Sequence, residues 1–307
     1  MSTLHNVAVV VPTHQHRALL AHALDAIAQL DPAPAEVIVA ADRCDDGTDK
    51  LVAERGASLV VPAGPGAAAA RNAGWRASSA EILAFTDDDC SPEPDWLGQL
   101  CEGFSRPGVG LVQGRTLPAR PPGPNDRTID VTSEYGLYES CNIAYRRSAI
   151  VSLGGFDEHF ADGVRAPHFG EDTDLAWRAR SAGWETAFAH EAVVRHAVFP
   201  SGPIEALARE WQKGRLCYLV RRVPDLRDSL PSGRYWLRRQ SAWAQLALGG
   251  AIVAIRRPVV GAAMAAPYGV WLARNRPLRE IPRSAARDLV ASVALVTGSL
   301  RHRSLLL

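Results

Sequence analysis

The sequence predicts an α/β fold in which a largely parallel central sheet is flanked by helices and followed by a helical C-terminal extension. Three observations predict it. Between residues 7 and 116, short runs rich in β-branched residues alternate with helical patterns, as in βαβ units whose parallel strands are covered on both faces. Three carboxylates close one apolar run, Ile82-Leu83-Ala84-Phe85-Thr86-Asp87-Asp88-Asp89-Cys90, at the carboxyl end of a strand, where open sheets of this kind collect ligands. The charge divides near Pro200. Residues 1–200 hold 16 Lys and Arg against 27 Asp and Glu, and residues 201–307 hold 18 against 6, a basic segment after an acidic one within a formal total of +1.

The elements follow in order. Val7 to Val11 is apolar at every position and reads as a buried first strand. Arg17 to Leu30 has helical spacing, Glu36 to Ala41 reads as the second strand, Thr48 to Arg55 as a helix, and Ser58 to Val61 as a short third strand. Gly64-Pro65-Gly66 breaks the chain before an Ala-rich helix from Ala67 to about Ser79, and the next strand delivers Asp87. Val109 to Thr116 is strand-like, whereas Pro118 to Pro124 is so rich in Pro and Gly that it must be a loop. A further αβ portion runs from Ile129 to His196. In it, Glu171 to Ala182 has helical spacing, with Leu175, Ala176 and Ala179 inward and Gly183 where a C-terminal cap belongs. Short strands at Thr186 to Phe188 and Val193 to Arg195 close it.

Residues 201–307 differ in kind from residues 1–200, and the two are expected to be separate domains. Pro203 to Arg222 reads as an amphipathic helix. Apolar stretches follow at Ser241 to Ile255, Val259 to Ala273 and Leu289 to Leu300, punctuated by Arg238, Arg239, Arg256, Arg257, Arg274 and Arg276. Each is shorter than the roughly 20 residues of a spanning helix. Basic residues beside short apolar helices bearing Trp236, Trp243 and Trp271 suit an anionic membrane surface. The alternative is a helical cap packed on the first domain. Nucleic acid is not an expected partner, because the chain has no recognised binding module and no aromatic stacking platform.

Composition excludes several classes. An apolar fraction of 47% over 307 residues is ample for a core. Five cysteines, Cys44, Cys90, Cys101, Cys141 and Cys217, show no C-x-x-C pair, so neither a disulfide framework nor a zinc site is indicated. The early apolar run is too short for a signal peptide, and the cytoplasm is the expected compartment.

The acidic triplet carries the chemistry. If the chain stays extended there, Asp87 and Asp89 project to one side and Asp88 to the other, which sets two hard oxygen ligands together for Mg²⁺ or Mn²⁺. A polar turn after a strand is the alternative reading.

Four features fall in order: Asp42, the helix bearing Arg71-Asn72, the triplet, and Gly170-Glu171-Asp172-Thr173-Asp174-Leu175. With the opening Val9-Val10-Val11-Pro12-Thr13, the segment Gly154-Gly155-Phe156-Asp157-Glu158 and Ala176-Trp177-Arg178, this chain resembles the family 2 glycosyltransferases over about residues 7–196. The resemblance implies a nucleotide-binding fold of the GT-A type and transfer of a sugar, with inversion, from a UDP-, GDP- or dTDP-sugar. If the basic C-terminal extension binds membrane, the expected acceptor is a saccharide or lipid-linked saccharide of the cell envelope or an exopolysaccharide, reached from the inner face of the membrane.

The roles carry over residue by residue. Asp87 and Asp89 match the D-x-D motif that holds Mn²⁺ or Mg²⁺ on the departing diphosphate, and Asp88 lies in the same nucleotide-sugar site. Asp172 matches the catalytic base, with Glu171 binding the acceptor or orienting Asp172; helix capping is the competing reading for this pair, and Asp174 is read as structural. Asp42 matches the acid that accepts a hydrogen bond from the nucleobase, although Ala41 stands where an Asp is usual and Cys44 where a Ser is. Arg71 matches the arginine lining the nucleotide pocket, Asn72 faces the same cleft, and Pro12 and Thr13 meet the nucleoside. His196 is the candidate third metal ligand, with His190 as its competitor. Two other readings stay open. A nucleotidyltransferase calls for a basic, Gly-rich phosphate loop after the first strand, where this chain has Pro12-Thr13-His14-Gln15-His16-Arg17. A non-catalytic sugar-nucleotide or glycan-binding protein has no need of Asp87, Asp89 and Asp172 together.

Overall fold

The computed structural model describes residues 6–160, 169–230, 234–236 and 239–307. The chain forms two compact units, residues 1–122 with 128–199, and residues 123–127 with 200–307.

In the first unit eight strands make one mixed sheet. They are β1 (Val7–Thr13), β2 (Glu36–Ala41), β3 (Ser58–Val60), β4 (Ile82–Thr86), β5 (Cys90–Pro92), β6 (Val109–Pro118), β7 (Asn142–Arg146) and β8 (Glu185–His196), in the order β3-β2-β1-β4-β7-β6-β8-β5. The β3-β2-β1-β4 half is parallel throughout; β7 then enters antiparallel to both β4 and β6, and β6 and β8 run parallel. The helices are α1 (Arg17–Ile27), α2 (Thr48–Glu54), α3 (Ala67–Ala77), α4 (Trp96–Glu102), α5 (Arg147–Ser152) and α6 (Glu171–Ser181).

β1 shows why its sequence is apolar at every position. Val7, Val9 and Val11 join a core with Leu20, Leu24 and Ile27 of α1, Leu51 and Val52 of α2, and Trp96, Leu97 and Leu100 of α4. On the opposite face Val10 meets α3, where a Cβ added to Gly74 would lie 2.3 Å from its Cγ1. Burial on both sides is worth roughly 1.5–3 kcal/mol per valine, which fixes this strand at the centre of the parallel half.

Several expectations are revised. The first helix ends at Ile27, short of Leu30. β5 and β7 were not anticipated. The two short strands expected at 186–188 and 193–195 are one strand, β8, whose pairing with β6 jumps from Ala189 to Val193 across a bulge at residues 190–192. All five cysteines are free.

The second unit is helical. α7 (Pro203–Gln212), a 3₁₀ turn at Lys213–Arg215 and α8 (Leu216–Arg222) replace the single helix expected over 203–222. α9 (Arg239–Ala254), α10 (Pro258–Asn275) and α11 (Ile281–His302) follow. The break before α8 contains Gly214, where a Cβ would sit 2.6 Å from the carbonyl oxygen of Ala294 on α11. α9 and α10 make an equally close approach at Gly250 and Gly261. Among the described residues no helix is long and apolar enough to cross a membrane. Arg238, one of the expected flanking cations, lies outside the described residues.

Candidate active site

The carboxyl ends of β1, β2 and β4 and the start of α3 enclose a cavity of about 280 Å³, lined by Pro12, Thr13, His14, His16, Asp42, Arg43, Gly66, Arg71, Asp87, Asp88 and Asp89 among others. Every expected nucleotide-site residue lines it except Asn72. That side chain is buried and fully engaged elsewhere. Its Nδ2 donates to the carbonyl oxygen of Phe156 at 2.9 Å and to Glu158 at 2.7 Å, while its Oδ1 accepts from Trp75 and from the backbone N–H of Phe156. Asn72 thus fastens the Gly154–Glu158 segment to α3 rather than facing the cleft.

The triplet is arranged differently from the extended picture. β4 stops at Thr86, and a tight turn follows in which the backbone N–H of Cys90 donates to the carbonyl oxygen of Asp87 at 3.1 Å. The three carboxylates fan out to separate partners. Asp87 accepts from Arg71 Nη2 at 2.9 Å. Asp88 accepts from the Thr13 hydroxyl at 2.6 Å and lies 3.3 Å from His16 Nδ1. Asp89 lies 3.5 Å from His196 Nε2. Burial pushes Asp88 up to about 6, against the lowering effects of Thr13 and His16.

Arg71 is buried, and its second Nη donates to Glu171 at 3.1 Å. It therefore ties the triplet to the start of α6. Burial alone would lower its pKa, but the charges of Asp87, Glu171 and Asp172 outweigh that and raise it. Its Nε is a buried donor without a partner.

At the start of α6 the N-cap position is Gly170, in a left-handed conformation at φ +84°, which places Asp172 at the second residue of the helix. Asp172 accepts from the backbone N–H of Ser140 at 3.3 Å and from that of Thr173 at 2.8 Å. Burial, with the neighbouring charges of Glu171 and Glu139, pushes it up to about 7 against the pull of Arg71. Asp174 pairs with Arg178 on the same helix at 2.7 Å and is structural.

The sequence reading missed the loop before β7. Four hydrogen bonds clamp it along α6: Trp177 Nε1 donates to Gly136, Thr173 Oγ1 to Leu137, Arg180 to the Tyr138 hydroxyl, and Ser140 N–H to Asp172. Tyr138 is fully buried at φ +55°, a conformation such a residue keeps only when its surroundings hold it. The clamp brings Glu139 within electrostatic reach of Asp172. Glu139 accepts from Gln113 at 3.2 Å and from the Tyr135 hydroxyl, and burial pushes it up to about 7. No local sequence pattern marks this loop; Gly136, at φ +90°, is the one signal of a turn.

His196 ends β8 with its ring almost fully buried. Its Nδ1 lies 2.7 Å from the carbonyl oxygen of Ala197, a contact that calls for an N–H, so in the neutral ring Nε2 carries the lone pair on the Asp89 side. Ligand atoms of Asp89, Cys90 and His196 lie within 4.8 Å of one another. The Cys90 thiol is the weaker donor, because its hydrogen bond with Cys141 and its burial hold its pKa well above the ordinary value. A carboxylate oxygen beside an imidazole nitrogen of fixed tautomer suits Mn²⁺, which accepts nitrogen beside oxygen ligands, better than the oxygen-preferring Mg²⁺. His190 is exposed in the β8 bulge, its ring edge-on to Phe188 at 4.8 Å, and joins no such group among the described residues.

Residues 8–153 match the family model for glycosyl transferase family 2. Glycosyltransferase AglE of Haloferax volcanii is 29% identical over 234 residues, 70% of this chain and 73% of that protein. Among solved structures, mannosyltransferase PcManGT from Pyrobaculum calidifontis, in complex with GDP-Man and Mn²⁺, superposes with a TM-score of 0.64 at 20% identity over 95% of this chain and 87% of its own. Glucosyl-3-phosphoglycerate synthase from Mycobacterium tuberculosis, with Mn²⁺, UDP and phosphoglyceric acid, gives 0.53 at 19% identity over 72% of this chain and 80% of its own. At these identities the structural likeness establishes the fold.

Proposed function

We propose that this chain, whose residues 8–153 match the family model for glycosyl transferase family 2, moves a sugar from a nucleoside diphosphate to a hydroxyl of a saccharide or lipid-linked saccharide, with inversion at the anomeric carbon. One observation carries the reading. Asp42, Thr13, Arg71 and the Asp87-Asp88-Asp89 turn converge on a single cavity at the carboxyl ends of parallel strands. Asp42 closes β2 and the triplet closes β4, with β1 between them, so the two acids stand two strand spacings apart, roughly 10 Å. That leaves room for the nucleobase at Asp42 and the diphosphate at the triplet. The GDP-Man and UDP held by the structural relatives support a donor of this class.

Asp89 and His196 present an oxygen and a nitrogen donor, and with Asp87 they would hold Mn²⁺ or Mg²⁺. When bound, such a cation supplies Lewis-acid stabilisation of the leaving diphosphate. Arg71 keeps Asp87 and Glu171 apart as charges and fixes the spacing between the donor end and α6. Asp172 takes the proton of the acceptor hydroxyl as its oxygen attacks the anomeric carbon and the bond to the diphosphate oxygen breaks. A pKa of about 7 matches a general base working near neutrality, whereas an ordinary aspartate is too weak. Glu171, held by Arg71, orients this end of the helix.

The helical unit is read as lying on an anionic membrane surface at the inner face of the cell membrane, where lipid-linked acceptors of envelope glycans are found. The connection between α9 and α10 supports this, since Ile252, Ile255, Val259 and Val260 are exposed there around Arg256 and Arg257.

The test of the catalytic reading is Mn²⁺-dependent hydrolysis of UDP-, GDP- and dTDP-sugars, comparing the wild type with Asp172→Asn. The expected result is turnover by the wild type of at least one donor, and loss of turnover with donor binding kept in the variant. Equal turnover by the variant contradicts the role of Asp172, and turnover of none with retained nucleotide binding favours a non-catalytic binder.

A further inference from the structure

Arg43 lies in the cavity and is explained by neither the strand order nor the acidic motif. It follows Asp42 directly, yet its backbone is left-handed at φ +49°, a conformation that a non-glycine residue adopts at a cost. The β1–α1 loop holds it there. Gln15, itself left-handed at φ +57°, donates from Nε2 to the carbonyl oxygen of Arg43 at 2.9 Å and from its backbone N–H to Cys44 Sγ at 3.4 Å. His14 Nδ1 lies 2.6 Å from the carbonyl oxygen of Asp42. The guanidinium consequently folds back over the preceding residue, with Nε donating to one carboxylate oxygen of Asp42 at 2.9 Å and Nη2 to the other at 3.3 Å.

This pair is a poor stability device. The Arg43 side chain is 67% exposed, and so well-hydrated an ion pair returns little against a strained backbone. Asp42, by contrast, is buried and independently aligned, since it also accepts the backbone N–H of Gly66 at 2.7 Å. What the two side chains offer the cavity is an acceptor and a donor side by side.

We propose that Arg43 is a specificity-determining residue that, with Asp42, reads the adjoining carbonyl and ring N–H shared by uracil, thymine and guanine. This rests on the donor-site reading above and goes beyond it by assigning the base selection. Asp42 accepts the ring N–H, and Arg43 swings off the carboxylate to donate to the neighbouring carbonyl. Cytosine and adenine present the reverse pattern, a ring-nitrogen lone pair beside an amino group. Against them Asp42 faces a lone pair and Arg43 faces N–H donors, and a site left with mismatched polar groups rejects its ligand strongly.

The test is calorimetric titration of the full chain with UDP, dTDP, GDP, CDP and ADP in the presence of Mn²⁺, for the wild type, Arg43→Ala and Arg43→Gly. The wild type should bind at least one of UDP, dTDP and GDP about 30-fold or more tighter than CDP and ADP, and both variants should cut that ratio to below about 5-fold. Arg43→Gly should keep or raise the melting temperature, because glycine takes the left-handed conformation without strain. A residue that serves only the fold would do the opposite, lowering the melting temperature and leaving the ratio intact. An unchanged ratio in either folded variant overturns the assignment, as does wild-type binding of CDP or ADP equal to that of the other three. Binding of none of the five overturns the donor-site reading and the role of Arg43 with it. The nucleotide preferred tells a pyrimidine from a guanine donor.

Discussion

Asp172 combines a functional gain with a folding cost. Its proton is held up to about pH 7 in the folded chain and only to the ordinary aspartate range, near 3.8, in the unfolded one. Between these values the native state binds more protons, so the stability contributed here is complete below about pH 4 and is lost as pH rises through 7. Asp172→Asn is therefore expected to raise the melting temperature at pH 8 by roughly 2–4 °C, the shift that about 1 kcal/mol produces in a domain of this size, and to leave it unchanged at pH 4. Turnover should fall by about 10² to 10⁴, and the wild-type rate should climb with pH through an inflection near 7. Scanning calorimetry at the two pH values and a pH–rate profile check both. Arg71 carries the opposite balance. Its removal leaves Asp87 and Glu171 facing each other without their shared cation, and Arg71→Ala should cost about 3–5 kcal/mol in urea unfolding. Arg71→Lys should recover little of this, because one ammonium cannot span two carboxylates as the planar guanidinium does.

Among the elements, α3 and β1 are set by close packing. Gly74→Ala places a methyl on Val10, and the overpacking should lower stability by about 1–3 kcal/mol, read as a lower urea midpoint at unchanged slope. This half of the fold was legible because its signals are local. β1, β2 and β4 are apolar on both faces, each ends in a polar ligand candidate, and Gly64-Pro65-Gly66 marks the start of α3. The other half is built on distant pairings that leave no local trace. Asn142–Arg146 becomes β7 through registers with both Ile82–Thr86 and Leu111–Gln113, and nothing in a short mixed stretch announces its antiparallel direction. The clamp of residues 136–140 on α6, which brings Glu139 toward Asp172, depends on contacts 32 to 42 positions apart in the chain, so the acidic pair was readable but its third carboxyl was not. The break between α7 and α8 was hidden for a related reason. The amphipathic pattern runs straight through it, while the cause, the approach of Gly214 to the backbone of α11, belongs to tertiary packing.

For the molecule as a whole, the acidic and basic segments seen in the charge pattern coincide closely with its two compact units. The helical unit should bind vesicles containing anionic lipid in a sedimentation assay. Binding should weaken several-fold as salt is raised across the range where screening sets in, and Ile255→Glu with Val259→Glu should abolish it without loss of donor hydrolysis. Retention of binding by that double variant would place the contact elsewhere. The most direct measurement concerns the three carboxylates at the end of β4. Calorimetric titration of the preferred nucleoside diphosphate should give an affinity at least about tenfold higher with Mn²⁺ than without it, and Asp89→Asn should erase that difference while keeping the fold. Equal affinity with and without Mn²⁺ in the wild type, or a metal dependence that survives Asp89→Asn, would contradict a diphosphate site built on this turn.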